Sequence, residues 1–186
     1  MPDYSQLSVL LPDVSVCILP ETASTNSDAR ALLLRGGTHG SLVVAARQTG
    51  GRGRMGRAFC SEEGGLYMSL LLRGAWPAGQ LTTLCAVAVC RAVERLTQLH
   101  LDIKWVNDAQ LDGKKVCGIL TEMNAQFDYI NHIVVGIGIN VHNESFPEHQ
   151  PEPAQLSARA CLYRALAVSK RRRALHARPA MRRRLS

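Results

Sequence analysis

The stretch Val135-Gly-Ile-Gly-Ile-Asn-Val141 constrains this chain most, because its period of two admits only an extended strand. One face carries Val135, Ile137, Ile139 and Val141 into a core, and the other carries Gly136, Gly138 and Asn140. Two glycines on one strand face weaken the strand unless something must approach the backbone closely, either a ligand or a packed segment of the chain. The residues alone leave those alternatives open.

The rest of the chain supplies partners for that strand. Positions 16–19, 41–46, 66–72 and 101–106 read as strands, and 115–123 with 129–141 reads as a hairpin after the Asp112-Gly113 turn. Two helices are expected. One starts at Thr25, with Asp28 three residues on as a capping box, and ends at Gly36-Gly37; the other follows Trp76-Pro77 over 81–99, where apolar residues recur at helical spacing. Closely spaced strands pair antiparallel, so the expected fold is an α+β domain with a mixed, largely antiparallel sheet and helices on one face.

Charge is unevenly distributed. The net charge is +7, yet residues 1–158 hold 12 basic and 15 acidic side chains (12 − 15 = −3), while residues 159–186 hold 10 basic and none acidic. The basic character belongs to the tail, so it is no footprint of a folded nucleic-acid surface. Pro147, Pro151 and Pro153 mark the change of character, dividing a domain over 1–147 from a linker and an Ala/Leu/Arg-rich tail over 148–186. No apolar run approaches the ~20 residues of a membrane span, and the first residues lack the basic start of a secretory signal, which points to the cytoplasm. The six cysteines form no Cys-x-x-Cys pair and no set with histidine at metal-ligand spacing, so no metal ligands are assigned and small buried side chains are expected.

Four segments carry polar chemistry. Gln48-Thr-Gly-Gly-Arg-Gly-Arg-Met-Gly-Arg57 alternates guanidiniums with glycines, which suits a loop wrapping a polyanion or a solvated Arg-Gly segment. Lys104-Trp-Val-Asn-Asp108 places an amide and a carboxylate at a strand end, where ligands bind, or forms a solvated turn. Lys114 and Lys115 open the next strand on opposite faces, so only one can enter a given pocket. Ser24-Thr25-Asn26 can bind a ligand at a helix N-terminus or cap the helix.

Taken together, Glu21-Thr-Ala-Ser-Thr-Asn26, Gly51-Arg-Gly-Arg-Met-Gly-Arg57, Lys104-Trp-Val-Asn-Asp108, Gly113-Lys-Lys-Val-Cys-Gly118 and Gly136-Ile-Gly-Ile-Asn140 resemble the biotin protein ligases in order and spacing. The resemblance covers about residues 16–147, with Val106 where the family usually has proline. It implies a biotin/lipoate ligase-like catalytic domain that joins biotin to ATP, with Mg²⁺, as biotinyl-5′-AMP. Biotin then passes to one lysine of a biotin carboxyl carrier protein domain of a biotin-dependent carboxylase.

Carried over by position, Ser24, Thr25, Asn26 and Gln48 would hold the biotin rings, and Arg52, Gly53 and Arg54 would close over its tail and the phosphate. Lys115 would bridge the carboxylate and the α-phosphate, making Arg54 and Lys115 the catalytic pair. Arg52, Arg54, Arg57, Asn107, Asp108 and Asn140 would serve ATP. The chemistry needs cations, since two unit charges about 4 Å apart repel by about 4 kcal/mol at an effective dielectric near 20.

The resemblance carries further expectations. No helix-turn-helix precedes residue 16, so no repressor activity or specific DNA binding is expected, and no membrane association; a homodimer is compatible. Relatives continue past the Asn140 region into helices and a small β-barrel domain, which residues 148–186 do not resemble. Their composition reads as a truncated or frame-shifted end, or as an arginine-rich tail for nucleic acid. The alternatives for function are a biotin or biotinyl-AMP binding module without full turnover, and a lipoate or octanoate ligase or transferase.

Overall fold

The computed structural model describes residues 4, 6–74, 77–126, 129–143 and 156. Its chain order is α1 (Leu7–Leu10), β1 (Val16–Thr22), α2 (Thr25–Leu34), β2 (Leu42–Gln48), β3 (Leu66–Arg73), α3 (Ala78–Thr97), β4 (Asp102–Lys104), β5 (Asp108–Leu111), β6 (Lys114–Gln126) and β7 (Tyr129–Ile139). A single 3₁₀ turn, Arg54–Gly56, sits in the loop between β2 and β3.

The strands form one seven-stranded sheet in the order β1-β2-β3-β7-β6-β5-β4. Only β1 and β2 run parallel, with α2 as their crossover; every other neighbouring pair is antiparallel. The mixed, largely antiparallel sheet of the expected α+β fold is therefore present. The hairpin of β6 and β7 lies inside it, with β7 between β3 and β6, so the Gly/Ile alternation falls on an interior strand.

Side-chain alternation on β7 divides the core. Ile133, Val135 and Ile139 join a cluster with Leu81, Val89 and Val93 of α3, whereas Val134 joins Ala29 of α2, Val43 and Leu71. The two longer helices thus pack on opposite faces, not on one as the sequence suggested. Neighbouring β7 residues are buried in both directions, and each face needs its own cover. Val141, expected in the core, lies past the end of β7 and is 37% exposed.

Helix α2 ends where expected, for a visible reason. Gly36 adopts a left-handed φ of 87°, its N–H bonds to the Leu33 carbonyl at 3.1 Å, and Gly37 N–H bonds to the Leu32 carbonyl at 2.8 Å. That is a Schellman closure, which favours glycine. Its start differs from the expected capping box. Thr25 is the first helical residue, Ser24 makes no side-chain capping bond, and the Asp28 carboxylate accepts the Thr22 hydroxyl at 2.6 Å instead.

The strand expected over 101–106 is only β4, and β5 was not foreseen. The tail over 157–186 lies outside the described residues. Leu156, beyond the boundary expected at 147, is buried in the α3-side cluster and donates its N–H to the Asn140 carbonyl at 3.2 Å. Among the described residues, no helix is long and apolar enough to cross a membrane. Cys17, Cys60, Cys85, Cys90 and Cys117 are free thiols, and burial pushes the Cys117 thiol up to about 12, against the opposing pull of the Lys115 charge.

Candidate active site

The α2 face of the sheet carries a solvent-open cleft of about 420 Å³, floored by β6 and β7 and walled by the start of α2 and the arginine-glycine loop. Ser24, Thr25, Asn26, Gln48, Arg52, Gly53, Asn107 and Lys115 all line it. Segments up to 114 residues apart in sequence, from Ser24 to Gly138, therefore converge, which none of them could show alone.

One wall is a chain of neutral polar groups. Gln48 Oε1 accepts the Thr25 backbone N–H at 2.9 Å and lies 3.0 Å from the Thr25 hydroxyl, so Gln48, at the end of β2, satisfies a helix N-terminal donor that capping would otherwise serve. Gln48 Nε2 donates to Ser61 Oγ at 2.7 Å. The buried Ser69 hydroxyl on β3 sits 2.7 Å from Thr25 Oγ1 and 2.6 Å from Asn26 Oδ1. Ser24, Thr25 and Asn26 are all buried, and the Thr25 and Asn26 side chains have the partners that buried polar groups need.

The opposite end is cationic. Lys115 Nζ lies 2.8 Å from Asp108 Oδ1, which also accepts Asn107 Nδ2 at 2.9 Å. The same ammonium stands 5.3 Å from the centre of the Phe59 ring, within cation–π range. Arg52 reaches the cleft from the loop and donates to Ser27 Oγ at 2.9 Å. Of the two adjacent lysines, Lys115 lines the cleft, and Lys114 is exposed and outside the lining.

Four expected site residues stand apart from this lining. Arg54 and Arg57 are exposed, on and just after the 3₁₀ turn of the loop. Asp108 reaches the site through its pair with Lys115. Asn140 is buried behind the floor: its Nδ2 donates to the Lys115 carbonyl at 3.4 Å, its backbone N–H donates to the Val116 carbonyl, and its Oδ1 has no partner. Of Gln48, Arg52, Arg54 and Lys115, three meet in one cleft and Arg54 does not.

The glycine face also has an explanation. A Cβ on Gly136 would overlap the Asn26 amide, and one on Gly138 would overlap the Phe59 ring, which stands 2.7 Å from a Cβ placed on Gly118. Gly118 and Gly138 are register partners across β6 and β7, so together they make a flat seat. The close approach is by side chains of α2 and of the loop.

Phe59, Ser61, Ser69 and Glu122 were not singled out from sequence. Ser69 had a readable signal, a small polar residue on a strand face whose next residue outward, Leu71, is apolar and fully buried. Phe59 is the lone aromatic of its loop, and nothing in its spacing points to the sheet floor. Among the described residues, no group of three His, Cys, Asp or Glu side chains could hold a metal ion.

Residues 19–140 match the model of the Biotin/lipoate A/B protein ligase family. The chain is 46% identical over 132 residues to the bifunctional ligase/repressor BirA of Bacillus subtilis, covering 68% of this chain and 41% of that protein. It is 41% identical over 130 residues to the biotin--[acetyl-CoA-carboxylase] ligase of Paracoccus denitrificans, covering 67% of this chain and 53% of the relative. Among solved structures, the biotin protein ligase of Aquifex aeolicus in complex with biotin and ATP superposes with a TM-score of 0.67 at 32% identity, covering 84% of this chain and 69% of that one. The chain thus spans about half, or less, of the curated relatives it matches. With the five motifs, the mixed sheet and the family match all falling on the same residues, the chain belongs to the Biotin/lipoate A/B protein ligase family.

Proposed function

We propose that this chain is the catalytic part of a biotin protein ligase, activating biotin with ATP and transferring it to a lysine of a biotin carboxyl carrier protein domain. The observation that carries the reading is the joining, in one cleft, of the neutral wall from Ser24 to Asn26 and Gln48 with the cations Arg52 and Lys115. A bicyclic urea with an acid tail has that same polarity: neutral donors and an acceptor at one end, a carboxylate at the other. The named ligands of the Aquifex structure, biotin and ATP, agree with it.

The chemistry follows from the charges. A biotin carboxylate oxygen attacks the α-phosphorus, the bond from that phosphorus to the β-phosphate bridging oxygen breaks, and pyrophosphate leaves with the electron pair. The acceptor lysine, as a free amine, then attacks the acyl carbon, AMP leaves, and the nitrogen loses a proton. Lys115 and Arg52 offset the repulsion between carboxylate and phosphate, and the neutral wall fixes the ring so that the tail is aligned for attack.

Arg54 is assigned the developing charge on the phosphate, and Arg57 and Asn107 the nucleotide; for Arg54 and Arg57 this requires the exposed turn at 54–56 to fold over bound ATP. Asp108 holds Lys115 until the ligand carboxylate replaces it. Asn140 acts from behind, through the Lys115 backbone. Mg²⁺ enters as part of the MgATP substrate.

The test is incubation of the protein with biotin, MgATP and a biotin carboxyl carrier protein domain, followed by intact-mass analysis of the acceptor. A biotin-sized increment on one lysine is expected. Calorimetric binding of biotin with no increment would leave a binding module, and an increment from lipoate but not biotin would move the chain to the lipoate branch of the family.

A further inference from the structure

Glu122 lies on β6 on the same face as Gly118 and Leu120, and its carboxylate sits behind the polar wall of the cleft. One oxygen, Oε2, accepts Asn26 Nδ2 at 2.7 Å. The other, Oε1, pairs with Arg30 Nη2 at 2.7 Å and lies 4.0 Å from Arg52 Nη2. Asn26 and Arg52 line the cleft; Glu122 and Arg30 stand behind them. One carboxylate thus joins the sheet, helix α2 and the arginine-glycine loop.

An ionised carboxylate accepts hydrogen bonds and donates none. It therefore selects one of the two orientations open to the Asn26 amide. Nδ2 faces Glu122 and, at 3.5 Å, the Leu120 carbonyl, while Oδ1 faces the Ser69 hydroxyl at 2.6 Å. The choice propagates along the wall, because Ser69 must then give its only proton to Oδ1 and cannot also donate to Thr25.

Arg52 is affected differently. Arg30 occupies the nearer position on Oε1, so Arg52 is held at the outer limit of an ion pair and by Ser27 Oγ. A guanidinium carries five N–H donors, which leaves most of those on Arg52 for an incoming anion.

We propose that Glu122 is a positioning residue of the cleft: it sets the orientation of the Asn26 amide, and with it the donors and acceptors that the polar wall presents. The proposal uses the reading of the cleft as a biotin site only for its affinity measurement. Glu122→Ala is expected to weaken biotin binding in calorimetry about tenfold, the loss that follows if the Asn26 amide holds its binding orientation only about one-tenth of the time. Glu122→Gln keeps an acceptor for Asn26 while losing the charge shared by the arginines, so its biotin affinity should return to within about threefold of wild type. Equal losses in the two variants, or no loss in either, would overturn the proposal.

A second readout does not involve biotin. In the amide ¹H–¹⁵N spectrum, one Asn26 Nδ2 proton, identified by its absence from Asn26→Asp, should lie downfield of ordinary side-chain amides in wild type. It should move back in Glu122→Ala. An ordinary shift in the wild type would refute the contact. Should Glu122→Ala fail to fold, the wild-type shift and the Gln variant decide. Should wild type bind no biotin, the functional reading fails and the spectrum alone judges Glu122.

Discussion

Replacing Gly136 by alanine tests whether the bare face of β7 exists for the Asn26 amide. The residue has no left-handed φ, so its backbone accepts alanine, and the whole effect must come from the added methyl. That methyl would overlap Asn26 Oδ1 and lie 2.9 Å from Cγ and 3.0 Å from Nδ2. The amide must leave, breaking its bond to Glu122 at 2.7 Å and its contact with Ser69 at 2.6 Å. A hydrogen bond to a charged group contributes about 1.5–3 kcal/mol and a neutral one about 0.5–1.5. The reduced freedom of the unfolded chain returns about 0.4–1 kcal/mol. The net destabilisation is about 1–4 kcal/mol, or roughly 2–4 °C in Tm for each kcal/mol in a domain of this size. Because the same amide lines the cleft, biotin affinity should fall with stability. A double-mutant cycle isolates the cause. In an Asn26→Ala background the methyl meets no amide, so Gly136→Ala should be neutral or stabilise by up to about 1 kcal/mol. Gly79→Ala, where nothing lies within 4 Å in helix α3, is the control and should stabilise by about 0.5–1 kcal/mol. If the two substitutions at 26 and 136 add to within about 0.5 kcal/mol, the amide is not what the glycine accommodates.

Two further outcomes follow from the same geometry. Lys115→Ala should abolish pyrophosphate release from biotin and MgATP while Lys114→Ala leaves it, and equal losses would mean that the two strand faces are wrongly assigned. Burial, and then the charges of Arg30 and Arg73, hold the His132 imidazole below its ordinary value of 6.5. The unfolded chain therefore takes up this proton first as pH falls, so stability is full above about 6.5 and declines below it. His132→Gln should flatten the change in urea midpoint between about pH 7 and 5, and an unchanged slope would exclude His132 as the source.

The sheet was legible for the most part wherever apolar runs, alternation or helical spacing marked an element, although the run over 101–106 gave only the short β4. Strands β1, β2, β3, β6 and β7 and helices α2 and α3 fall within a few residues of expectation, and Gly36 ends α2 as its composition suggests. Shorter elements escaped. Strand β5 has only Ala109 and Leu111 to face the core, and two buried residues in four do not separate a strand from a turn. The faces on which the helices pack were misjudged, because an apolar strand such as β7 does not tell in sequence how many sides are covered. In the cleft, residues within tight motifs were found and their supports were missed. Glu122 and Ser69 sit in ordinary-looking strands, and Phe59 reaches Gly118 and Gly138 only through the path of the loop.

The resting arrangement of the cations explains how such a cleft remains stable before a ligand arrives. Lys115 is paired with Asp108 at 2.8 Å, a gross attraction of about 6 kcal/mol at an effective dielectric of 20. Its side chain is 35% exposed, so solvent screening leaves only a fraction of that as net stabilisation. An incoming carboxylate that displaces Asp108 exchanges one anion for another and gains little from charge. On the proposed reading, the ground-state pull on the carboxylate is left to Arg52, and the ring is held by Ser24, Thr25, Asn26 and Gln48, of which the first three are buried and the last three are already hydrogen-bonded. On that reading Lys115 contributes most when negative charge accumulates on the α-phosphate, once Asp108 has been displaced from it. A division between groups that hold the substrate and a cation that acts later would favour a transition state over its substrates.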